Sequence, residues 1–255
     1  MTTTTEQHTD LTDRLKQAMN DEYLAVDRRK NPVALALDTM SRDQMLYILH
    51  QYSLFPKVII AFLDSARKTA SNTGWYDVAA ELDRNIGEEL GSDTAGTPHY
   101  DLLVRGIKEE LNVDIGEAYP NPSTSAFLAC MYYTMPNPRQ ALAVGAAYAL
   151  ESTAVPELRI VLELANKAVR TTSGKPMDKD GTLQQFFEKH LSTWEPGHEE
   201  RLRTATAKYI ITEKDQREFE QGFRYVMKTM DEWWTGLAKE MSDGSIVEYT
   251  LHKKA

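Results

Sequence analysis

Cysteine is nearly missing from this chain: Cys130 is the only one in 255 residues. A single thiol excludes an intramolecular disulfide framework and fits a reducing compartment. Basic residues are also in deficit, with 29 Lys and Arg against 38 Asp and Glu and a formal net charge of −9. A nucleic-acid partner would call for a basic face, so that class is disfavoured. No uninterrupted apolar run approaches the length of a membrane span. The opening MTTTTEQHTD lacks the cationic stretch and apolar core of a secretory signal. The expected setting is the cytoplasm, with no membrane partner. Strand-like alternation is absent except at Ile246–Tyr249, where a short extended piece is expected. No internal repeat is visible. What is present is an ordinary globular composition, 42% hydrophobic and 26% charged, long enough to bury a sizeable core.

Helical spacing organises most of the chain. Leu11, Leu15, Met19 and Tyr23 mark a first helix over about 9–28, broken by Asn31-Pro32. Ser41 to Gln44 reads as a capping box opening a long helix to about Ala70, with Pro56 inside it. Further helices are expected over 75–90, 98–111 and 125–135. Asn137-Pro138 resembles an N-cap with Pro at the first helical position. The helix it opens is apolar on every side up to Pro156, which argues for a central buried element. Two helices flank Pro196, the second reaching about Ile211. Thr212 caps a last long helix carrying Phe219, Phe223, Met227, Met230 and Trp234. Trp233 and Trp234 either close the core or form a homodimer face. Residues 1–8 and 242–255 are expected to be flexible tails. The reading is one all-α domain over 1–255, a single-domain helical bundle of roughly eight to ten helices.

The chemistry concentrates in Phe186–Glu200, FFEKHLSTWEPGHEE, which holds His190, Glu195 and His198. Two imidazoles and a carboxylate at this spacing can converge on one cation such as iron, zinc, copper or nickel. On a straight helix His190 and His198 point about 80° apart. Pro196 cannot continue an undisturbed helix, so a kink, a π-bulge or a helix restart is expected at Glu195–Pro196. The competing reading is a solvated helix end rich in His and Glu.

Two other stretches add acids. Glu151 sits in the apolar run AAYALESTA, where a carboxylate is costly unless paired or bound to metal. In RNIGEELGSDTAGTPHYDLL, Glu88 and Glu89 end one helix, and Glu89 and His99 turn inward together if the loop folds back. Glu89, His99, Glu151, His190, Glu195 and His198 supply three carboxylates and three imidazoles. That set can hold two divalent cations with carboxylates bridging, as in helical bundles with di-iron or di-manganese sites.

The order of these residues on an all-helical chain resembles the haem-oxygenase-like di-metal oxidases and oxygenases. RNIGEEL, YALESTA and FFEKHLSTWEPGH each resemble ligand-bearing segments there, and QYSLFPKVIIAFL resembles an early cavity-lining helix. The resemblance spans roughly residues 40 to 235 and aligns Glu89, rather than Glu88, with the first ligand. The chain departs from the usual pattern in a His190-to-Glu195 interval one residue longer and in a longer loop between Glu89 and His99. A π-bulge near Trp194–Pro196 would absorb the extra residue. The resemblance implies a haem-oxygenase-like fold, two Fe(II) per chain, and O2-dependent chemistry on a small molecule. Relatives cleave C–C bonds of fatty acids or amino acids, or N-oxygenate amines, often in specialised biosynthesis.

Candidate substrate contacts are Tyr52, Lys57, Tyr148, Arg159 and Phe187, with Phe55 and Tyr132 also in view. Lys57 either pairs with a substrate carboxylate or snorkels to water, and Arg159 is a second candidate clamp. Two alternatives remain. One is a metal-independent enzyme of the same fold, thiaminase-like or like the oxidase of quinone-cofactor assembly. The thiaminase-like form needs a nucleophilic Cys, and Cys130 in FLACMYY reads more readily as core. The other is a non-catalytic helical binding module, which would leave the six candidate ligands scattered.

Overall fold

The computed structural model describes residues 4–117 and 119–242. These form ten α-helices: α1 (Thr4–Glu22), α2 (Pro32–Ala36), α3 (Arg42–Asn72), α4 (Tyr76–Glu89), α5 (His99–Leu111), α6 (Pro122–Thr134), α7 (Gln140–Ser173), α8 (Thr182–Lys189), α9 (Glu195–Thr206) and α10 (Glu213–Ser242). A 3-10 turn, Leu37–Thr39, follows α2, and a π-helical turn, His190–Trp194, joins α8 to α9. Among the described residues there is no strand. Ile246–Tyr249 lies outside them.

Local chemistry sets most boundaries. Ser41 and Gln44 form the expected reciprocal capping box on α3. Asn31 accepts from the amides of Val33 and Ala34 to start α2, and Asn121 accepts from Thr124 N at 2.7 Å to start α6. Thr212 and Asp215 cap each other before α10.

Several boundaries differ from the sequence expectation; α9 ends at Thr206 rather than about Ile211, and α6 begins at Pro122 rather than Ser125. The first helix ends at Glu22, not near Arg28, because Asp231 on α10 accepts from the amides of Leu24 and Ala25 at 3.0 and 2.8 Å. The central helix starts at Gln140: the Asn137 side chain accepts from Arg139 N and closes a turn instead of capping. At the N-terminus α1 begins at Thr4, inside the stretch expected to be a tail.

Helix α7 is the axis of the domain, and every residue from Ala141 to Thr153 is buried. Helix α10 runs along it, and α3 and α9 pack against its other sides. The α7–α10 contact is close because each helix offers a glycine to the other's backbone. A Cβ at Gly145 would strike the Phe219 carbonyl, and one at Gly222 would strike that of Leu142. Trp233 and Trp234 are 1% and 0% exposed, so they close the core. Trp233 stacks on Phe127 at 4.2 Å. Helix α3 is long and apolar enough to cross a membrane by length and composition, although His50, Gln51 and Lys57 interrupt its apolar run. Its apolar window is 67% buried inside the protein, and packing on α4 and α7 accounts for that apolarity.

Candidate metal centre

The end of α4 presents Glu88 and Glu89, and the chain then folds back over 91–98. Gly91, at φ 96°, permits this return, since a Cβ there would collide with the Thr97 backbone. The fold-back brings His99, the first residue of α5, to Glu89, with Nδ1 3.3 Å from Oε1. Helix α5 is drawn against α8 at Gly106, where a Cβ would meet the Leu183 backbone. That contact sets His99 beside His190, with ring centroids 4.9 Å apart.

The joint between α8 and α9 has the expected distortion, one turn earlier than Pro196. The Glu195 amide donates to the His190 carbonyl, five residues back, instead of to Leu191. The wide turn takes up one residue, so His190, Glu195 and His198 all face inward, at 4%, 8% and 2% exposure. It also seats Trp194, which stacks on the His99 ring at 3.8 Å and meets His190 edge-on at 4.6 Å.

Glu151 reaches the same place from α7. Its Oε2 lies 3.4 Å from His198 Nδ1, and its Oε1 accepts from Asn85 Nδ2 at 3.1 Å. Glu195 Oε2 is 3.5 Å from His198 Nδ1, and Glu195 Oε1 is 4.0 Å from His190 Nε2. Two trios, Glu89/His99/His190 and Glu89/Glu195/His198, each offer ligand atoms within 4.8 Å of one another. Glu89 belongs to both. All six residues singled out in the sequence therefore meet in one place.

The donor set fits divalent metal by a further criterion: a ligating imidazole is usually held by an acceptor on its other nitrogen. His190 Nδ1 donates to the Phe186 carbonyl at 2.7 Å, leaving Nε2 as the bare nitrogen. His198 Nε2 lies 2.7 Å from Glu88 Oε2, which Arg201 also grips at 2.9 Å. His99 Nε2 lies 3.1 Å from Asp93 Oδ1. Glu88 thus takes the outer place and Glu89 the inner one. Burial holds the His190 pKa down at about 3 and pushes Glu195 up to about 7. Burial also opposes the charged form of His198, but hydrogen bonds that its Nδ1 donates to Glu151 and Glu195 outweigh it and raise that pKa to about 12. At His99 burial is likewise outweighed, by Glu89 and then Asp93, and the pKa is raised.

A cavity with an empty volume of about 640 Å³, including its mouth, opens beside these residues. Tyr52 and Phe55, expected from the sequence, line it, together with Ile59, Leu63, Leu150 and Leu158. The other expected contacts lie elsewhere. Lys57 is exposed and donates to the Gly116 carbonyl at 2.8 Å, so of its two readings the solvent-side one applies. Arg159 is exposed. Tyr148 donates to Glu199 at 2.9 Å. Phe187 is fully buried, and its neighbour Phe186 lines the cavity instead. Tyr132 packs edge-on against Phe62 from the exposed side of α6. Sequence reading missed Asp93, Trp194, Tyr100 and Glu157. Asp93 lay in a polar loop without a pattern. Glu157 carried a usable signal, being a second acid in the buried length of α7.

A family profile described as "Domain of Unknown Function with solved-structure structure (DUF3865)" matches residues 9–240. The chain belongs to the DUF3865 family. A crystal structure of a CADD-like protein of unknown function from Nostoc punctiforme PCC 73102 is similar throughout, at 37% identity and a TM-score of 0.86, covering 92% of this chain and 98% of that one. A second crystal structure under the same description gives 36% identity and a TM-score of 0.83, covering 92% and 96%. A TenA homologue from Pseudomonas syringae pv. tomato shares the fold at 14% identity and a TM-score of 0.60, covering 91% of each chain. No curated protein matches. The DUF3865 fold seen here is the all-helical, haem-oxygenase-like one.

Proposed function

We propose that the chain is a non-haem di-iron, O2-dependent oxidase or oxygenase acting on a small molecule. The observation that carries this reading is the pair of ligand trios sharing Glu89, with every imidazole backed by its own acceptor. Glu89, His99, Glu151, His190, Glu195 and His198 would hold two Fe(II). Iron with open coordination positions supplies the activation of dioxygen. The chain's own residues do the rest. Phe186 fixes the His190 proton on Nδ1 and turns Nε2 inward. Glu88 and Arg201 hold the His198 ring, and Asn85 holds Glu151. Tyr52, Phe55, Ile59 and Leu63 keep water from the substrate side. The reaction classes that fit are oxidative C–C cleavage and N-oxygenation of an amino acid, fatty acid or amine.

Anaerobic Fe(II) titration should take up two irons per chain, and admitting O2 should give an absorbance transient. No uptake and no transient would remove the reading. Cys130 bears on the thiaminase-like alternative: it is half-buried on α6 and does not line the cavity. Full turnover by metal-stripped Glu151→Ala would support a metal-independent enzyme instead.

A further inference from the structure

Glu157, 1% exposed on α7, is not one of the six candidate ligands, yet it lines the cavity beside them. One carboxyl oxygen is engaged: Trp234 Nε1 donates to Oε1 at 2.5 Å. The other, Oε2, is buried with no hydrogen-bond partner. A buried carboxyl oxygen left unsatisfied is costly and uncommon, and it calls for a donor that arrives later. The Tyr100 hydroxyl is a second unpartnered buried atom on the same cavity.

The charge of the lining narrows what that donor is. Among the described residues, no Lys or Arg lines the cavity, while Glu157 joins Glu89, Glu151 and Glu195 there. The apolar walls suit a hydrocarbon body. A carboxylate head placed against Glu157 would set acid against acid at a point where no Lys or Arg among the described residues lines the cavity. An ammonium head brings three N–H donors and a positive charge, which would draw the buried Glu157 carboxyl into its ionised form.

We propose that Glu157 Oε2 receives the amino group of the substrate, so that the site takes a primary amine with an apolar body and not a fatty acid. This rests on reading the cavity as the substrate site of the di-iron enzyme. It makes Glu157 the specificity residue, lining the cavity and not serving as a ligand to the metals.

The test is calorimetric titration of the full chain, loaded with Mn(II) under argon, with hexylamine, hexanoate and hexan-1-ol. Hexylamine should bind at least about tenfold tighter than the other two. Glu157→Gln, which keeps the shape and an acceptor for Trp234, should lose that advantage and leave hexan-1-ol binding unchanged. Hexanoate binding as tightly as hexylamine, or Glu157→Gln binding hexylamine like the wild type, would overturn the proposal. The wild-type ranking needs no variant, so it decides the matter even if Glu157→Gln folds poorly. If Mn(II) and Fe(II) are not taken up, the di-metal reading fails by itself. The hexylamine preference and its loss in Glu157→Gln are then read on the chain without metal.

Discussion

Replacing Glu157 by Gln should change how stability depends on pH. Burial pushes the Glu157 pKa up from 4.5 to about 8, and the Trp234 hydrogen bond offsets part of that rise. In the unfolded chain the same group ionises near 4.5. Above that pH folding must keep it protonated or bury a charge, so the cost grows with pH and levels off above about 8. Each pH unit in that window costs about 1.4 kcal/mol, which gives about 3 kcal/mol between pH 6.0 and 8.5. Gln has no such dependence. It carries a roughly constant penalty of about 1–3 kcal/mol if its amide lacks an acceptor. Relative to wild type, Glu157→Gln should therefore gain about 3 kcal/mol between pH 6.0 and 8.5, seen as a relative rise in Tm of roughly 6 °C for a chain of this size. Calorimetric melts of both proteins with chelator present, in matched buffers, would measure it. A difference in Tm that is the same at the two pH values would refute the argument. It would mean Glu157 is already ionised at pH 6.0 beside a cation that its surroundings do not reveal.

Three other outcomes are expected. Glu89→Ala should take up fewer than two irons, while Glu88→Ala should bind two with affinity lowered about 10- to 100-fold, because Glu88 holds His198 from outside; equal and undiminished binding in both would exchange or cancel those roles. Deleting Thr193 should convert the π turn to a regular one and spare iron binding, whereas deleting Glu199 should rotate the rest of α9 by about 100° and pull Arg201 off Glu88; iron titration of the two variants would separate them, and greater loss in the Thr193 deletion would count against the π-turn account. Gly145→Ala should lower stability by about 1–3 kcal/mol without altering metal content, since its methyl meets the Phe219 backbone; denaturant melts showing no loss would mean that α7 and α10 separate easily.

The bundle was legible where local signals act alone. The capping box at Ser41, the apolar length of α7 and the distortion before Pro196 were all visible as patterns. What could not be read were the places where a distant residue intervenes. Asp231 ends α1 from more than 200 positions away, and nothing near Glu22 announces it. The six candidate ligands were legible because their chemistry is costly in apolar or crowded surroundings. Lys57 and Arg159 were not, because a long cation beside an apolar run leaves its direction open, and both face solvent. Asp93 and Trp194 owe their places to the returning loop and the wide turn. Side-chain identity alone carries no sign of either.

The wide turn at His190–Trp194 also bears on kinship. A single-codon insertion in a helix ordinarily rotates everything after it and is selected against. Here the extra residue bulges locally, so the downstream face keeps its aim and the insertion is close to silent. Chains with a four-residue and a five-residue interval between this histidine and the following acid can then be near cousins with the same centre. A search signature written with a rigid interval would sort them into separate lineages, and one that lets the interval float by a single position would reunite them.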